Sequence, residues 1–88
     1  MPRRIKLPAA VGEMFGVRLR ELRRKHQLTQ VQVAERSGMM QNHISELENG
    51  VRMPSLVTLL KLAAAIGCKP TDLLTPFNGI ALETLLDE

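Results

Sequence analysis

The run LTQVQVAERSGMMQNHISELENG, from Leu28 to Gly50, constrains this chain more than any other part of it. Two short helices that pack across a tight turn need a small residue where they touch, a turn residue able to take positive φ, and apolar plugs on the second helix. Ala34, Gly38, Ile44 and Leu47 supply these in order, with Gly38 four residues after Ala34 and six before Ile44. Thr29 with Gln32 three residues on reads as a capping box, so the first helix begins at Gln30 and runs to about Ser37, where Gly38 ends it. The second helix is expected from about Gln41 to Glu48, closed by Asn49 and Gly50. This joint spacing is that of a helix-turn-helix, whose second helix enters the major groove of DNA.

The flanks keep a helical apolar period. From about Ala9 or Glu13 to His26, Val11, Phe15, Leu19 and Leu22 recur every three or four residues, which predicts an amphipathic first helix with opening turns weakened by Gly12 and Gly16. Pro54 and Ser55 open a fourth helix with Ser55 as its cap. Leu56, Leu59, Leu60, Ala63 and Ile66 are its expected buried stripe, and Gly67 its end. Pro70 starts a last short helix through Leu74. Ahead of these elements, residues 1–8 place Pro2 and Pro8 around Arg3, Arg4 and Lys6 and read as a basic arm. The division is therefore arm 1–8, helical domain 9–75 and C-terminal extension 76–88. In the extension, Phe77, Ile80, Leu82, Leu85 and Leu86 are too apolar for a solvated tail. Two placements are open for it: a short helix after Gly79 packed on a second copy, or a tail folded back on its own domain.

Composition narrows the function classes. Residues 1–25 hold eight basic residues against Glu13 and Glu21, a charge of +6, which leaves −3 for the remainder of a chain whose net charge is +3. A basic lobe beside a mildly acidic remainder suits a protein that meets phosphate with one face, and fits a solvated surface equally. Two phenylalanines without tryptophan or tyrosine offer no stacking platform for single strands, so duplex DNA is the better partner. Cys68 is the one cysteine and reads as a small apolar filler; with only His26 and His43 beside it, no metal-ligand spacing exists. No cofactor is implied. No run reaches the about 18 apolar residues of a membrane span, and a soluble, cytoplasmic protein is expected. An enzyme is not expected: Ser, His and Asp form no nucleophilic constellation in the sequence, and there is no phosphate-cradling glycine loop.

With LRELRRKHQLTQ before the motif and LENGVRMPSLVTLLKLAAAIGCKPTDLL after it, the stretch from about Phe15 to Leu74 resembles the Cro/cI (XRE) family of helix-turn-helix repressors. The resemblance covers sixty of 88 residues. It implies an all-α fold, a compact five-helix lambda-repressor-like DNA-binding domain, here with a short C-terminal extension. It also implies a sequence-specific regulator of double-stranded DNA, a repressor that reads a pseudo-palindromic operator as a homodimer. Two residues depart from the family pattern. Gln27 stands where many relatives have glycine, which predicts a strained exit from the first helix, and Met40 stands where Ser or Thr often caps the reading helix.

With Ile44 and Leu47 pointing inward, Gln41, Asn42, Ser45 and Glu46 lie on the outward face, preceded by Met40 at the helix entrance. These are the candidate base contacts. Each amide of Gln41 and Asn42 offers a donor beside an acceptor, matching adenine N6 and N7, and both sit where readers sit in the family. Met40 can touch a thymine methyl. Ser45 can bond base or phosphate, while Glu46 either accepts from cytosine N4 or excludes wrong sequences. Gln30 opens a helix whose free N–H groups and dipole favour phosphate, and the resemblance adds Asn49 and Arg52 as further phosphate contacts. It also implies an internal salt bridge between Arg23 and Glu48. Arg18, Arg20 and Arg24 are expected to be solvated, and Glu21 with Lys25 to form a helical ion pair. Arg3, Arg4 and Lys6 are candidate minor-groove or backbone contacts, with an arm of no function equally open. Two rivals to a plain repressor stay open: an antitoxin that binds its operator and a toxin protein, and a restriction-modification controller.

Overall fold

The computed structural model describes residues 7–87, so the expected arm contacts Arg3, Arg4 and Lys6 lie outside the described residues. Local chemistry sets where the helices begin. Thr29 Oγ1 accepts from the Gln32 N–H at 3.1 Å while Gln32 Oε1 accepts from the Thr29 N–H at 2.9 Å. Ser55 Oγ accepts from the Thr58 N–H at 3.1 Å, and Asp72 Oδ2 from the Lys69 N–H at 2.9 Å. The ends are set by left-handed residues, Gly38 at φ 72° and Gly67 at φ 87°. Between these signals run α1 (Leu7–Lys25), α2 (Gln30–Ser37), α3 (Gln41–Glu48), α4 (Leu56–Ile66) and α5 (Pro70–Leu74). Two 3-10 turns, Thr75–Gly79 and Leu82–Asp87, follow. The fold is all-α, five helices around one core, with no strand among the described residues.

That core draws Phe15, Leu19 and Leu22 from α1, Val33 and Ala34 from α2, Ile44 and Leu47 from α3, Leu59, Leu62 and Ile66 from α4, and Leu73 from α5. Three expectations need correction. First, α1 already includes Leu7 and Pro8, ahead of the expected Ala9 or Glu13, and the opening turn of a helix is where proline is tolerated, since the first N–H groups make no intrahelical bond. Second, the buried stripe of α4 is Leu59, Leu62, Ala63, Ala65 and Ile66, whereas Leu56 and Leu60 are 72% and 47% exposed. A nearly all-apolar helix carries overlapping stripes of the same period, and packing against α2 and α5 selects one of them. Third, Gly12 and Gly16, expected only to weaken the opening turns, are both buried where α1 packs, Gly16 against the end of α3 and Gly12 against the loop that follows it. A Cβ on Gly16 would lie 2.3 Å from the Glu48 carbonyl oxygen and 2.6 Å from that of Leu47, so α1 crosses α3 there backbone to backbone.

The exit from α1 is strained as the sequence implies. Gln27 sits at φ 59°, the one non-glycine positive φ among the described residues, before Leu28 turns into the core. The extension folds back: both 3-10 turns pack on α1, with Phe77 against the core and Ile80 and Leu85 half-buried. Leu82 and Leu86 remain exposed. No helix among the described residues is long and apolar enough to cross a membrane.

Candidate nucleic-acid interface

Ile44 and Leu47 are wholly buried and hold α3 on the core, which sends the rest of this short helix outward. Gln41 and Asn42 are exposed in its first turn, Ser45 and Glu46 are half-exposed further along, and Met40 stands 73% exposed at the N-cap. Met40 makes no side-chain cap, so the first N–H groups of α3 have no side-chain partner at the cap position. His43 is half-buried. The outward residues form a polar edge of amides, one hydroxyl and one carboxylate.

The carboxylate is engaged within the chain. Arg52 Nε donates to Glu46 Oε2 at 2.7 Å across the loop after α3, joining a candidate phosphate contact to a candidate base contact. The pair is open to solvent and contributes about 0–1 kcal/mol, so it can yield to a stronger partner.

Behind this edge lies Glu48, whose side chain has no exposed surface. Arg23 Nε donates to its Oε2 at 2.6 Å and Arg23 Nη2 to its Oε1 at 3.0 Å, while Arg23 Nη1 donates to the Leu28 carbonyl at 2.9 Å. Gln30 Nε2 donates to Oε1 at 3.2 Å and Arg20 Nε to the same oxygen at 3.3 Å. A carboxylate taken from water needs this many donors. Burial is the largest single influence on Glu48 and pushes its carboxyl up. The hydrogen bonds from Arg23, Gln30 and Arg20, with the charge of Arg23, together outweigh it and hold the group below its ordinary value. The Arg23 guanidinium is raised in turn, chiefly by its hydrogen bond to Glu48. Glu48 thereby ties α1 and the first residue of α2 to the last residue of α3.

The arginines of α1 are less free than expected. Arg18 Nε donates to the Asp72 carbonyl at 2.7 Å, and Arg20 reaches past Glu48 to donate from Nη2 to Asn49 Oδ1 at 3.1 Å. Arg24 is exposed, and no ion pair within 4.0 Å joins Glu21 to Lys25. The sequence reading missed Arg20. A signal was present: Gly12, Gly16, Arg20 and Arg23, spaced four, four and three apart, lie on one line of α1, and that line faces the end of α3. Asn49 itself caps α3, with Nδ2 3.4 Å from Ser45 Oγ. Cys68 is half-buried against the core, and burial, then the charge of Asp72, raises its thiol. No cluster of potential metal ligands occurs among the described residues.

Comparison with known proteins agrees with this arrangement. The family model HTH_3, helix-turn-helix, matches residues 19–73. An uncharacterized HTH-type transcriptional regulator, y4dJ of Sinorhizobium fredii, is 42% identical over 64 residues, 73% of this chain and 83% of the relative. Among solved structures, the restriction-modification controller protein C.AhdI from Aeromonas hydrophila superposes with a TM-score of 0.71 at 42% identity, over 73% of this chain and 97% of that one. The clp gene regulator ClgR from C. glutamicum gives 0.74 at 30% identity, over 82% and 95%. The matches to several other curated relatives cover only 38% to 61% of those proteins' own length. A motif of this geometry, matched over more than half the chain, places the protein in the HTH_3 family of helix-turn-helix, Cro/cI (XRE) type DNA-binding transcriptional regulators, which are not enzymes.

Proposed function

We propose that the protein is a sequence-specific repressor in the cytoplasm that reads a pseudo-palindromic operator as a homodimer, with α3 in the major groove. The observation that carries this reading is the exposed amide pair Gln41 and Asn42 in the first turn of α3, turned outward by the buried Ile44 and Leu47. Each amide can bond the paired donor and acceptor of adenine, at about 1–3 kcal/mol of discrimination. Met40, Ser45 and Glu46 complete the reading edge. Gln30 at the start of α2, Asn49 and Arg52 grip phosphate on either side, and Arg52 exchanges Glu46 for a phosphate oxygen on binding.

Dimerisation is proposed through α4. Leu56, Leu60 and Ala64, four residues apart, form an exposed line on that helix beside Val57, and the loop that leads in from α3 exposes Val51 and Met53. The patch follows the reading helix directly in the chain and leaves α3 itself uncovered, and an isologous contact through it would give the two-fold symmetry that a pseudo-palindromic site calls for. Sedimentation of a chain ending at Pro76 is expected to show the dimer intact, and Leu60→Lys to leave monomer. The opposite pattern would return the interface to the tail.

Fluorescence anisotropy on duplexes tiling the gene's upstream region, against random duplex and over a salt series, tests sequence reading. One tile should bind tightly and lose that preference in Gln41→Ala. Equal, weak, steeply salt-dependent binding to all tiles would reject specific reading. The likeness to C.AhdI favours a second reading, control of a restriction-modification system, which a neighbouring methyltransferase gene would support.

A further inference from the structure

We infer that Arg20 is a positioning residue for DNA binding, because it determines which end of the Asn49 amide faces the nucleic acid. The inference rests on the assignment of Asn49 to phosphate. A phosphate oxygen only accepts hydrogen bonds, so an asparagine that grips it must present its NH₂ and not its carbonyl. The terminal torsion of Asn is broad and nearly two-fold, so nothing intrinsic to the side chain chooses between the two ends. Arg20 Nη2 occupies Oδ1 at 3.1 Å, which leaves Nδ2 directed toward Ser45 on the reading side of α3.

The guanidinium can make that choice because it is itself anchored. Its Nε donates to Glu48 Oε1 at 3.3 Å, and Glu48 is fully buried and fixed by Arg23. Bonding a carboxylate with one nitrogen and an amide with another takes a planar fork, which lysine lacks. Gly16, one turn earlier on the same line of α1, brings the backbones close enough for Arg20 to span the gap.

The test measures anisotropy on the tightest-binding upstream duplex over a salt series for Arg20→Ala, Arg20→Lys, Asn49→Ala, Asn49→Asp and the double variant Arg20→Ala/Asn49→Ala. Urea melts confirm that each is folded. Asn49→Ala should weaken binding about tenfold, the loss of one charge-assisted hydrogen bond. Arg20→Ala should lose about half as much on a logarithmic scale without changing the salt slope, and Arg20→Lys should not restore it. The double variant should bind no worse than Asn49→Ala alone, since Arg20 acts through Asn49. Asn49→Asp, which keeps the Arg20 contact but cannot donate, should bind at least as poorly as Asn49→Ala. Additive losses in the double variant would overturn the inference by showing that Arg20 acts by a route other than Asn49, and a salt slope reduced by about 1 in Arg20→Ala would overturn it by showing that Arg20 meets the DNA on its own account. Wild-type binding by Asn49→Ala would overturn the phosphate assignment as well, a result distinct from additivity.

Discussion

A methyl group added at Gly16 is the sharpest test of how α1 and α3 are held together. On an exposed helix Gly→Ala stabilises by about 1 kcal/mol, through backbone entropy. At Gly16 the new Cβ would stand 2.3 Å, 2.6 Å and 2.7 Å from the Glu48 carbonyl oxygen, the Leu47 carbonyl oxygen and the Glu48 carbonyl carbon. All three are backbone atoms that no rotamer change can move aside, so the helices must part by about 1 Å. Overpacking of this kind costs about 1–3 kcal/mol where side chains can adjust, and the rigid backbone here puts the cost at the upper end or beyond. Parting the helices also stretches the 2.6 Å and 3.0 Å bonds from Arg23 to Glu48. After the propensity gain, Gly16→Ala is expected to lose about 2 kcal/mol or more, a large share of the about 4–13 kcal/mol available to a domain of this length. Urea denaturation followed by far-ultraviolet circular dichroism reads the loss as a lower midpoint at unchanged slope. Gly12→Ala is the control: its Cβ would meet the Gly50 carbonyl oxygen and the Met53 sulfur, part of a flexible side chain, at 3.2 Å each, and its stability should stay within about 1 kcal/mol of wild type. A Gly16→Ala midpoint at or above wild type would refute the backbone-to-backbone crossing.

Two further outcomes follow from the same region. Gln27→Gly removes a side chain from φ 59° and should raise stability by about 1 kcal/mol in urea melts; a loss of stability would show that the left-handed residue is not strained. Glu48→Gln leaves the buried Arg23 without its countercharge and should cost about 3 kcal/mol. The group's folded value lies below its unfolded value near 4.3, so its contribution is complete above that pH and disappears as pH falls through the folded value. The midpoint measured from pH 6 downward should therefore fall less steeply in Glu48→Gln than in wild type, and equal slopes would remove Glu48 as a source of acid sensitivity.

The motif was legible in the sequence because its signals are local. A capping box at Thr29 and Gln32, a left-handed stop at Gly38, and plugs at Ile44 and Leu47 each act within a turn or two of chain, so α2 and α3 lie where their residues predict. The strained exit at Gln27 was legible for the same reason. With the helix ends known and two plugs inward, the outward placement of Gln41 and Asn42 follows from helical period alone. The charge count was a poorer guide: Arg18, Arg20 and Arg23 contribute to a basic N-terminal lobe, yet each is bonded within the fold.

What only the tertiary structure decided is whatever depends on which surfaces meet. An apolar helix such as α4 has several stripes of equal period, and only its neighbours bury Leu62 and expose Leu60. A glycine in a helix reads as weakness until another backbone lies against it, as Glu48 does against Gly16. An arginine reads as solvated until a partner 28 residues away comes within reach, as Glu48 does for Arg20. Hydrogen bonds within a turn are encoded by spacing along the chain, whereas contacts between helices depend on crossing geometry that no single segment contains.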